Sequence, residues 1–174
     1  MSAAASIQDV LFEVAPKVVP NEKDQRFTLR ETDEWARKVA KVSQWHLDVA
    51  ACEESHLADR YFTIEDDGLA QDWDAPFVWC NPPYSDIAPW VRKAWLEMSK
   101  PKGPHVVAML IPATRTEQPW WQESVEKHRD RVTSGPRLTT HFLPGRTSFG
   151  MPGNRDGNGV GSPPFTCVLL VWRR

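Results

Sequence analysis

Three short, almost wholly apolar segments limit how this chain can fold. They are Phe77–Cys80, residues 106–111 and residues 165–172, and proline or polar residues bound each of them. A strand that is apolar at nearly every position is buried on both faces, as in the centre of a parallel sheet covered by helices. Phe77–Cys80 and residues 106–111 therefore predict fully buried strands, and residues 165–172 predict the final strand.

Segments with helical spacing alternate with these strands. Residues 31–42 carry apolar side chains at Trp35, Val39 and Val42, which predicts an amphipathic helix capped near Thr32. The same spacing predicts helices over residues 87–98 and 118–128. Further strands are expected at residues 45–51, 61–64 and 138–143. Strands that alternate with helices indicate an α/β fold with a mostly parallel sheet, whose last strand is expected to be antiparallel.

Length and composition indicate one globular domain. The chain has 174 residues, of which 41% are hydrophobic, and this is enough for one substantial core. We expect a flexible arm over residues 1–26 and the domain over residues 27–174. No segment resembles a membrane span or a signal peptide, so we expect a cytoplasmic protein without a membrane partner. The three cysteines are widely spaced, which predicts reduced thiols and no metal site.

Charge is unevenly distributed along the chain. From residue 91 onward there are 13 Lys and Arg against 6 Asp and Glu, whereas the first 90 residues have 8 against 17. The two parts therefore carry +7 and −9 within a net charge of −2. The basic part is consistent either with a face that binds nucleic-acid phosphates through counterion release or with ordinary solvated surface charge.

The tetrapeptide Asn81-Pro82-Pro83-Tyr84 follows the first apolar strand directly. In open α/β sheets, functional residues lie just beyond the carboxyl ends of the strands. Two consecutive prolines fix the backbone and remove two N–H donors, which leaves a turn rich in hydrogen-bond acceptors. Such a turn suits a planar substrate that carries an NH₂ group. The Asn81 side-chain oxygen and the Pro82 carbonyl can each accept one amine hydrogen, and Tyr84 can stack on the ring.

These hydrogen bonds draw an amine from planar conjugation toward a tetrahedral nitrogen. Its lone pair is then free to attack an activated methyl group, so that catalysis consists of positioning and electrostatic stabilisation. An adenine in a duplex would have to be flipped out to reach such a turn. The alternative is that the tetrapeptide is only a rigid turn.

Residues 28–172 resemble the small phage-type DNA adenine methyltransferases, the Dam-like family of phages and prophages. Six motifs in the same order carry the resemblance. They are Leu47-Asp48-Val49-Ala50-Ala51; Asp67-Gly68-Leu69 with Trp73; Val78-Trp79-Cys80-Asn81-Pro82-Pro83-Tyr84; Trp90-Val91 with Lys93-Ala94; Leu110-Ile111-Pro112-Ala113; and Phe142-Leu143-Pro144-Gly145-Arg146 with Phe149-Gly150.

The resemblance implies the class I methyltransferase fold, a Rossmann-like sheet with helices on both faces that binds S-adenosylmethionine. Asp48, with the small residues Val49, Ala50 and Ala51, would hold the methionine end of this cofactor. Asp67, or else Asp66, would contact its ribose or adenine edge. Thr28 would touch its carboxylate. Where methyltransferases of this fold usually have a Gly-rich first loop, this chain has Ala50, Ala51 and Cys52, as the phage-type family does. Leu29 stands where proline usually follows the threonine.

Each of these assignments has a structural alternative. Asp48 could cap a following helix, and Asp66 and Asp67 could belong to a solvated turn. Arg146, beside glycine on the long loop of residues 145–164, and Arg115 are candidates for DNA contact or are plain surface residues. Trp120-Trp121 could pack in the core or stack on bases. Sequence specificity would come from the loops of residues 114–121 and 145–164.

The sequence thus predicts transfer of a methyl group from S-adenosylmethionine to the N6 amine of a flipped-out adenine in DNA. The family suggests a site-specific or relaxed-specificity enzyme in the bacterial host cytoplasm that protects phage DNA from restriction. Two alternatives remain. One is an RNA or protein amino-group methyltransferase, because the same tetrapeptide serves other planar amines. The other is a catalytically silent DNA-binding module of the same fold.

Overall fold

A five-stranded sheet is the central element of the computed structural model, which describes residues 24, 26–131, 135–151, 154 and 165–174. Of the predicted arm, Asp24 and Arg26 are the described residues. The elements in chain order are β1 (Phe27–Thr28), α1 (Arg30–Ala40), β2 (Leu47–Asp48), β3 (Phe77–Cys80), α2 (Ala88–Ser99), β4 (Val106–Pro112), α3 (Pro119–Trp121) with a π-helical turn (Gln122–Glu126), β5 (Arg137–Phe142), β6 (Phe149–Gly150) and β7 (Cys167–Arg173).

The sheet has the strand order β2-β3-β4-β7-β5. The pairs β2–β3 and β3–β4 are parallel, whereas β7 is antiparallel to both of its neighbours, β4 and β5. Four strands therefore run in one direction and the last strand of the chain runs against them. This confirms the expected α/β architecture with a mostly parallel sheet and an antiparallel final strand.

Strand register assigns α1 and α2 to opposite faces of the sheet. Trp79 of β3 shares a face with Val171 of β7, and Trp172 points to the other face because side chains alternate along a strand. Trp45, which is hydrogen-bonded to α1, packs on Trp79 with ring centroids 5.2 Å apart. Trp95 of α2 packs on Trp172 with centroids 5.9 Å apart. The expectation of helices on both faces of a Rossmann-like sheet is thereby confirmed.

The helix predicted over residues 31–42 begins earlier and is capped differently. Leu29 is the N-cap residue of α1 and makes no side-chain cap hydrogen bond, so the predicted cap at Thr32 is wrong. The helix starts directly after β1, which fixes the direction in which the chain enters it. It ends where Lys41 adopts a left-handed conformation (φ 50°) and donates its N–H to the carbonyl of Lys38.

Two predicted strands are shorter than expected. The segment 45–51 forms only the two-residue β2, because the chain turns at Val49. The segment 61–64 contributes a single parallel bridge between Tyr61 and Asp48, reinforced by the Phe62 N–H that donates to the Asp48 carbonyl at 2.8 Å. It extends the edge of the sheet beside β2 without a full ladder.

Two other segments differ in type from their prediction. The helix expected over residues 118–128 is one short α-helical turn, α3, that continues as the π-helical turn. The segment 145–164, expected to be a loop, contains β6, which pairs antiparallel with β1. Residues 152–153 and 155–164 of that segment lie outside the described residues.

The tryptophans belong to the hydrophobic core or pack against it. Six of the nine are buried, and Trp35, Trp95 and Trp120 pack against the core. Trp121 is buried with its indole N–H toward Glu126, which confirms the packing interpretation for it. Every residue of β4 is buried. In the part of the chain that the structure describes, no helix has the length and apolarity to cross a membrane.

A buried carboxylate links α2 to the chain segment before β3. Glu97 is 1% exposed and lies 2.7 Å from the ammonium groups of both Lys93 and Lys100. Its second oxygen accepts the backbone N–H of Trp73 at 3.3 Å. Trp73 in turn donates its indole N–H to the Gly68 carbonyl at 2.8 Å. Glu97 thus fixes the backbone that leads from Gly68 into β3.

Replacing Glu97 with alanine should lower the free energy of unfolding by about 3 kcal/mol, because it leaves a nearly buried ammonium group and a buried N–H without an acceptor. Glu97→Gln keeps an acceptor and should cost less. Urea unfolding followed by tryptophan fluorescence measures both variants. Glu123→Ala, at an exposed position, should change the value by less than about 0.5 kcal/mol and serves as the control. Equal effects of Glu97→Ala and the control would contradict the assignment.

Candidate active site

A cavity of about 640 Å³ opens at the carboxyl ends of β2 and β3. This volume lies in the usual range for small-molecule sites. Most of the residues predicted for the site line it together: Thr28, Asp48, Val49, Ala50, Ala51, Asp67, Asn81 and Pro83. Pro82, Tyr84, Asp66, Arg115 and Arg146 are not among its lining residues.

Asp48 holds the loop that follows β2. Its two carboxylate oxygens accept the backbone N–H groups of Ala50 at 3.3 Å and Leu57 at 3.0 Å. The segment between them consists of turns and no helix begins there, so Asp48 does not cap a helix. Burial raises the pKa of this carboxyl to about 6, although both backbone hydrogen bonds act in the opposite direction.

The two neighbouring carboxylates Asp66 and Asp67 have different surroundings. Asp66 turns back into its own turn, where it accepts the backbone N–H of Thr63 at 2.7 Å and the hydroxyl of the same residue at 3.0 Å. Asp67 lines the cavity, with a left-handed backbone (φ 53°), and accepts the Leu69 N–H at 3.2 Å. Of the pair, Asp67 is the one available to a ligand.

Gly68 brings two walls of the cavity into close contact. A Cβ atom at this position would lie far inside van der Waals contact with the carbonyl oxygen of Val49 and 3.3 Å from the ring of Trp90. The loop after β2 and the turn after Asp67 can therefore approach each other only because residue 68 has no side chain. The sequence signal for this contact was the glycine of Asp67-Gly68-Leu69.

The Asn81 side chain has a fixed orientation. Its Nδ2 donates to the backbone carbonyl of Arg26 at 3.0 Å and to the hydroxyl oxygen of Thr28 at 3.2 Å. A carbonyl oxygen only accepts, so the nitrogen must be on that side of the amide. The Asn81 Oδ1 atom is buried and has no hydrogen-bond partner among the described residues. One strong acceptor, on a residue that lines the cavity, is therefore unused.

The rest of the tetrapeptide forms the wall behind Asn81. Pro82 is buried and Pro83 lines the cavity, with its carbonyl accepting the Asp86 N–H at 3.3 Å. Tyr84 is 7% exposed and its hydroxyl lies 3.9 Å from the sulfur of Cys167. Burial raises the pKa of the Tyr84 phenol well above its usual value. The Tyr84 hydroxyl is therefore buried and neutral.

An aromatic cluster surrounds the Tyr84 ring. Phe149 and Phe165 meet the ring edge-on, with centroids 6.0 and 6.1 Å from that of Tyr84. The guanidinium carbon of Arg26 lies 5.6 to 5.8 Å from all three ring centroids, within the range of cation–π attraction. Its charge therefore sits beside the ring that was expected to stack on a substrate.

Two residues of the predicted arm belong to the cavity wall. Asp24 accepts the backbone N–H of Ser85 at 3.0 Å and its hydroxyl at 2.7 Å, and both Asp24 and Arg26 line the cavity. No sequence pattern indicates this contact, because Asp24 lies 61 positions before Ser85. The polar composition of the segment around residue 24 was instead typical of an arm.

The cavity is strongly acidic. Its lining residues include six carboxylates, from Asp24, Asp48, Glu53, Glu54, Glu65 and Asp67, against the guanidinium of Arg26. This excess of negative charge favours a cationic ligand and repels phosphate. Arg115 and Arg146, the two predicted DNA contacts, are both exposed and lie outside the lining.

Comparison with known proteins identifies the family. The sequence profile of the family described as DNA N-6-adenine-methyltransferase (Dam) matches residues 21–173. The chain belongs to this family. A DNA N-6-adenine-methyltransferase of Escherichia phage T1 is 26% identical over 132 residues, which cover 68% of this chain and 54% of the relative. The chain therefore spans about half the length of the curated relative it matches.

The chain is also distantly similar to a solved structure. That structure is of a protein from Pyrococcus horikoshii described as a candidate RNA methyltransferase, with 14% identity, a TM-score of 0.41, and coverage of 67% of this chain and 51% of that one. The phage-type family expected from the sequence motifs is confirmed by the family match.

The raised pKa of Asp48 should make stability depend on pH. Because the folded-state pKa of about 6 exceeds the ordinary 3.8, the folded protein holds this proton more tightly, and the contribution of Asp48 to stability should fall as pH rises from 4 to 7. The contribution is at most about 3 kcal/mol. Asp48→Asn cannot titrate, so its unfolding free energy should fall less over this range.

Chemical unfolding of the wild type and Asp48→Asn is measured at four pH values between 4 and 7. The difference between their pH slopes isolates the contribution of Asp48, since all other groups titrate equally in the two proteins. Only the slope of the unfolding free energy with pH is compared. The absolute values also differ for another reason, because asparagine accepts only one of the two backbone N–H groups that Asp48 accepts. Identical slopes would show that burial does not raise the pKa of Asp48.

Proposed function

We propose that this chain transfers the methyl group of S-adenosylmethionine to the N6 amine of adenine in DNA. Membership of the adenine-N6 methyltransferase family supports the reaction class. The single observation that carries the proposal is the Asn81 side chain. Its Oδ1 is buried and unpaired among the described residues, while its nitrogen is held at the opposite side by two acceptors.

The acidic cavity fits the cofactor that the family implies. S-adenosylmethionine carries a sulfonium and an ammonium group against one carboxylate, and the excess of carboxylates in the lining favours such a cation. Asp48 and the small residues Val49, Ala50 and Ala51 would hold its methionine end. Asp67, rather than Asp66, would contact its ribose or adenine edge. When bound, the cofactor supplies an activated methyl group.

Asn81 would bind the amine that receives the methyl group. Its Oδ1 would accept one amine hydrogen, and the carbonyl of Pro82, a buried residue next to the cavity lining, would accept the second. A nitrogen held by two acceptors keeps its lone pair out of conjugation and aimed at the methyl group, so that bringing the reactants together supplies much of the rate. The proton that the nitrogen loses passes to water or to a nearby acceptor after the new bond has formed.

Only the base would enter the cavity, and the DNA phosphates would stay outside it. Six carboxylates around the cavity repel the DNA backbone, whereas a neutral adenine flipped out of the duplex carries no charge into it. Stacking of the base on Tyr84 requires the Arg26 guanidinium, 5.8 Å from the ring centroid, to move aside. The phosphates would remain outside, where Arg115 and Arg146 are exposed. We infer that this takes place in the cytoplasm of a bacterial host and protects phage DNA from restriction.

Asn81→Ala should lower kcat for adenine methylation by about 10²- to 10³-fold, because it removes a preorganised acceptor of the reacting amine. Unmethylated DNA is incubated with methyl-labelled S-adenosylmethionine and digested to nucleosides, and labelled N6-methyladenine is quantified. Cofactor affinity by calorimetry should stay within about twofold of the wild type. Gln44→Ala removes an exposed amide outside the cavity and should leave the activity unchanged.

The same assay separates the rival functions. Label in RNA or in glutamine-containing peptides, with none in DNA, would make this chain an amino-group methyltransferase of another substrate. Absence of cofactor binding would favour the alternative that this chain is a catalytically silent DNA-binding module. An Asn81→Ala protein as active as the wild type would contradict the role of Asn81, whichever substrate is methylated.

Arg115→Ala and Arg146→Ala should each raise the KM for DNA severalfold and lower kcat less. Each should also reduce the dependence of log Kd on log salt by about one unit, which is the value for one phosphate contact. Fluorescence anisotropy with a labelled duplex at several salt concentrations measures this slope. Unchanged slopes in both variants would make these arginines plain surface residues.

A further inference from the structure

The Asn81 amide would present its NH₂ group, and not its oxygen, to a substrate amine if it rotated by half a turn about its last side-chain bond. The torsion at the end of an asparagine side chain is broad and roughly twofold, so an unrestrained amide samples both orientations. In one of them Nδ2 faces the Arg26 carbonyl, which leaves Oδ1 at the other side of the amide, where it can accept an amine hydrogen. In the other the Nδ2 hydrogens face the amine, and two donors oppose each other.

The Arg26 carbonyl selects the first orientation because it can only accept, and the Thr28 hydroxyl oxygen adds a second contact that holds the amide there. The Arg26 carbonyl and the Thr28 hydroxyl oxygen lie 3.0 and 3.2 Å from Nδ2, so each can take one of its two hydrogens. After a turn of the amide, Oδ1 would face the Arg26 carbonyl, and two acceptors would repel each other. Both acceptors belong to the segment that carries β1.

Strand β1 is held in place from a distant part of the chain. Phe27 pairs with Gly150 and Thr28 pairs with Phe149, and Phe27 is buried. Thr28 therefore has a fixed backbone beside Asn81, 53 positions before it in the sequence. Thr28 is half-buried and lines the cavity, and its partial burial limits competition from bulk water.

We propose that Thr28 is a positioning residue for Asn81: its hydroxyl oxygen, together with the Arg26 carbonyl, holds the amide so that Oδ1 faces the substrate amine. This rests on the proposed amino-group methylation. It differs from the role that the family resemblance implies for Thr28, which is contact with the cofactor carboxylate. A positioning role affects kcat, whereas a cofactor contact affects cofactor affinity.

The test compares Thr28→Val, which keeps the branched shape but has no hydroxyl, with Thr28→Ser, which keeps the hydroxyl. With saturating DNA and cofactor, Thr28→Val should lower kcat about 10-fold, as expected for the loss of one hydrogen bond that orients Asn81. Thr28→Ser should restore most of that loss. The Kd for S-adenosylmethionine, measured by calorimetry, should stay within about twofold in both variants. In an Asn81→Ala background, Thr28→Val should have no further effect on kcat.

A readout without catalysis keeps this test separate from that of the proposed function. The Asn81 side-chain NH₂ signals are assigned in ¹⁵N spectra by their loss in Asn81→Ala, and their hydrogen exchange is measured. Exchange should be slower in the wild type and Thr28→Ser than in Thr28→Val. If the wild type methylates no nucleic acid, the proposed function fails, and this comparison still decides whether Thr28 holds Asn81. Equal exchange in all three proteins, or a raised cofactor Kd with unchanged kcat in Thr28→Val, would overturn the proposal.

Discussion

Burial of β4 and β7 on both faces is the constraint on which the rest of the structure depends. Every residue of β4 and all but the last of β7 are buried. A sheet whose centre is apolar on both sides needs helices above and below it, and α1 and α2 provide them through the Trp45–Trp79 and Trp95–Trp172 contacts. In β3, β4 and β7, polar side chains are then confined to the ends of the strands. The cavity accordingly lies where β2 and β3 end, because there the backbone leaves the apolar layers.

The same constraint explains what could be read from the sequence. The bounds of β3 were predicted to the residue, and those of β4 to within one, because a strand buried on both faces leaves a local apolar run. The tetrapeptide and the Asp48 segment were found because each follows such a strand. Asp66 and Asp67 could not be distinguished, since the difference between them is the direction in which each carboxylate turns.

The remaining features depend on contacts between distant residues. A two-residue ladder such as β1–β6 has no periodicity to detect, and its pairing joins Phe27 to Gly150. The helix start at Leu29 follows from that ladder and left no cap signal. Asp24 and Arg26 looked like part of an arm because their partners, Ser85 and the aromatic cluster, lie far along the chain. Charge gave a partial indication, since all the residues that line the cavity lie between positions 24 and 90, in the acidic part of the sequence.

The dependence of Asn81 on β1 also bears on where this protein can be cut. A fragment beginning at Leu29 would retain all five strands of the central sheet and both helices that cover it. It would nevertheless lack the Arg26 carbonyl, the Thr28 hydroxyl and the Asp24 carboxylate that hold Asn81 and Ser85. The central sheet and the hydrogen bonds that orient the Asn81 amide therefore depend on different parts of the chain, and a fragment chosen to contain the whole sheet would lack the groups that orient this amide.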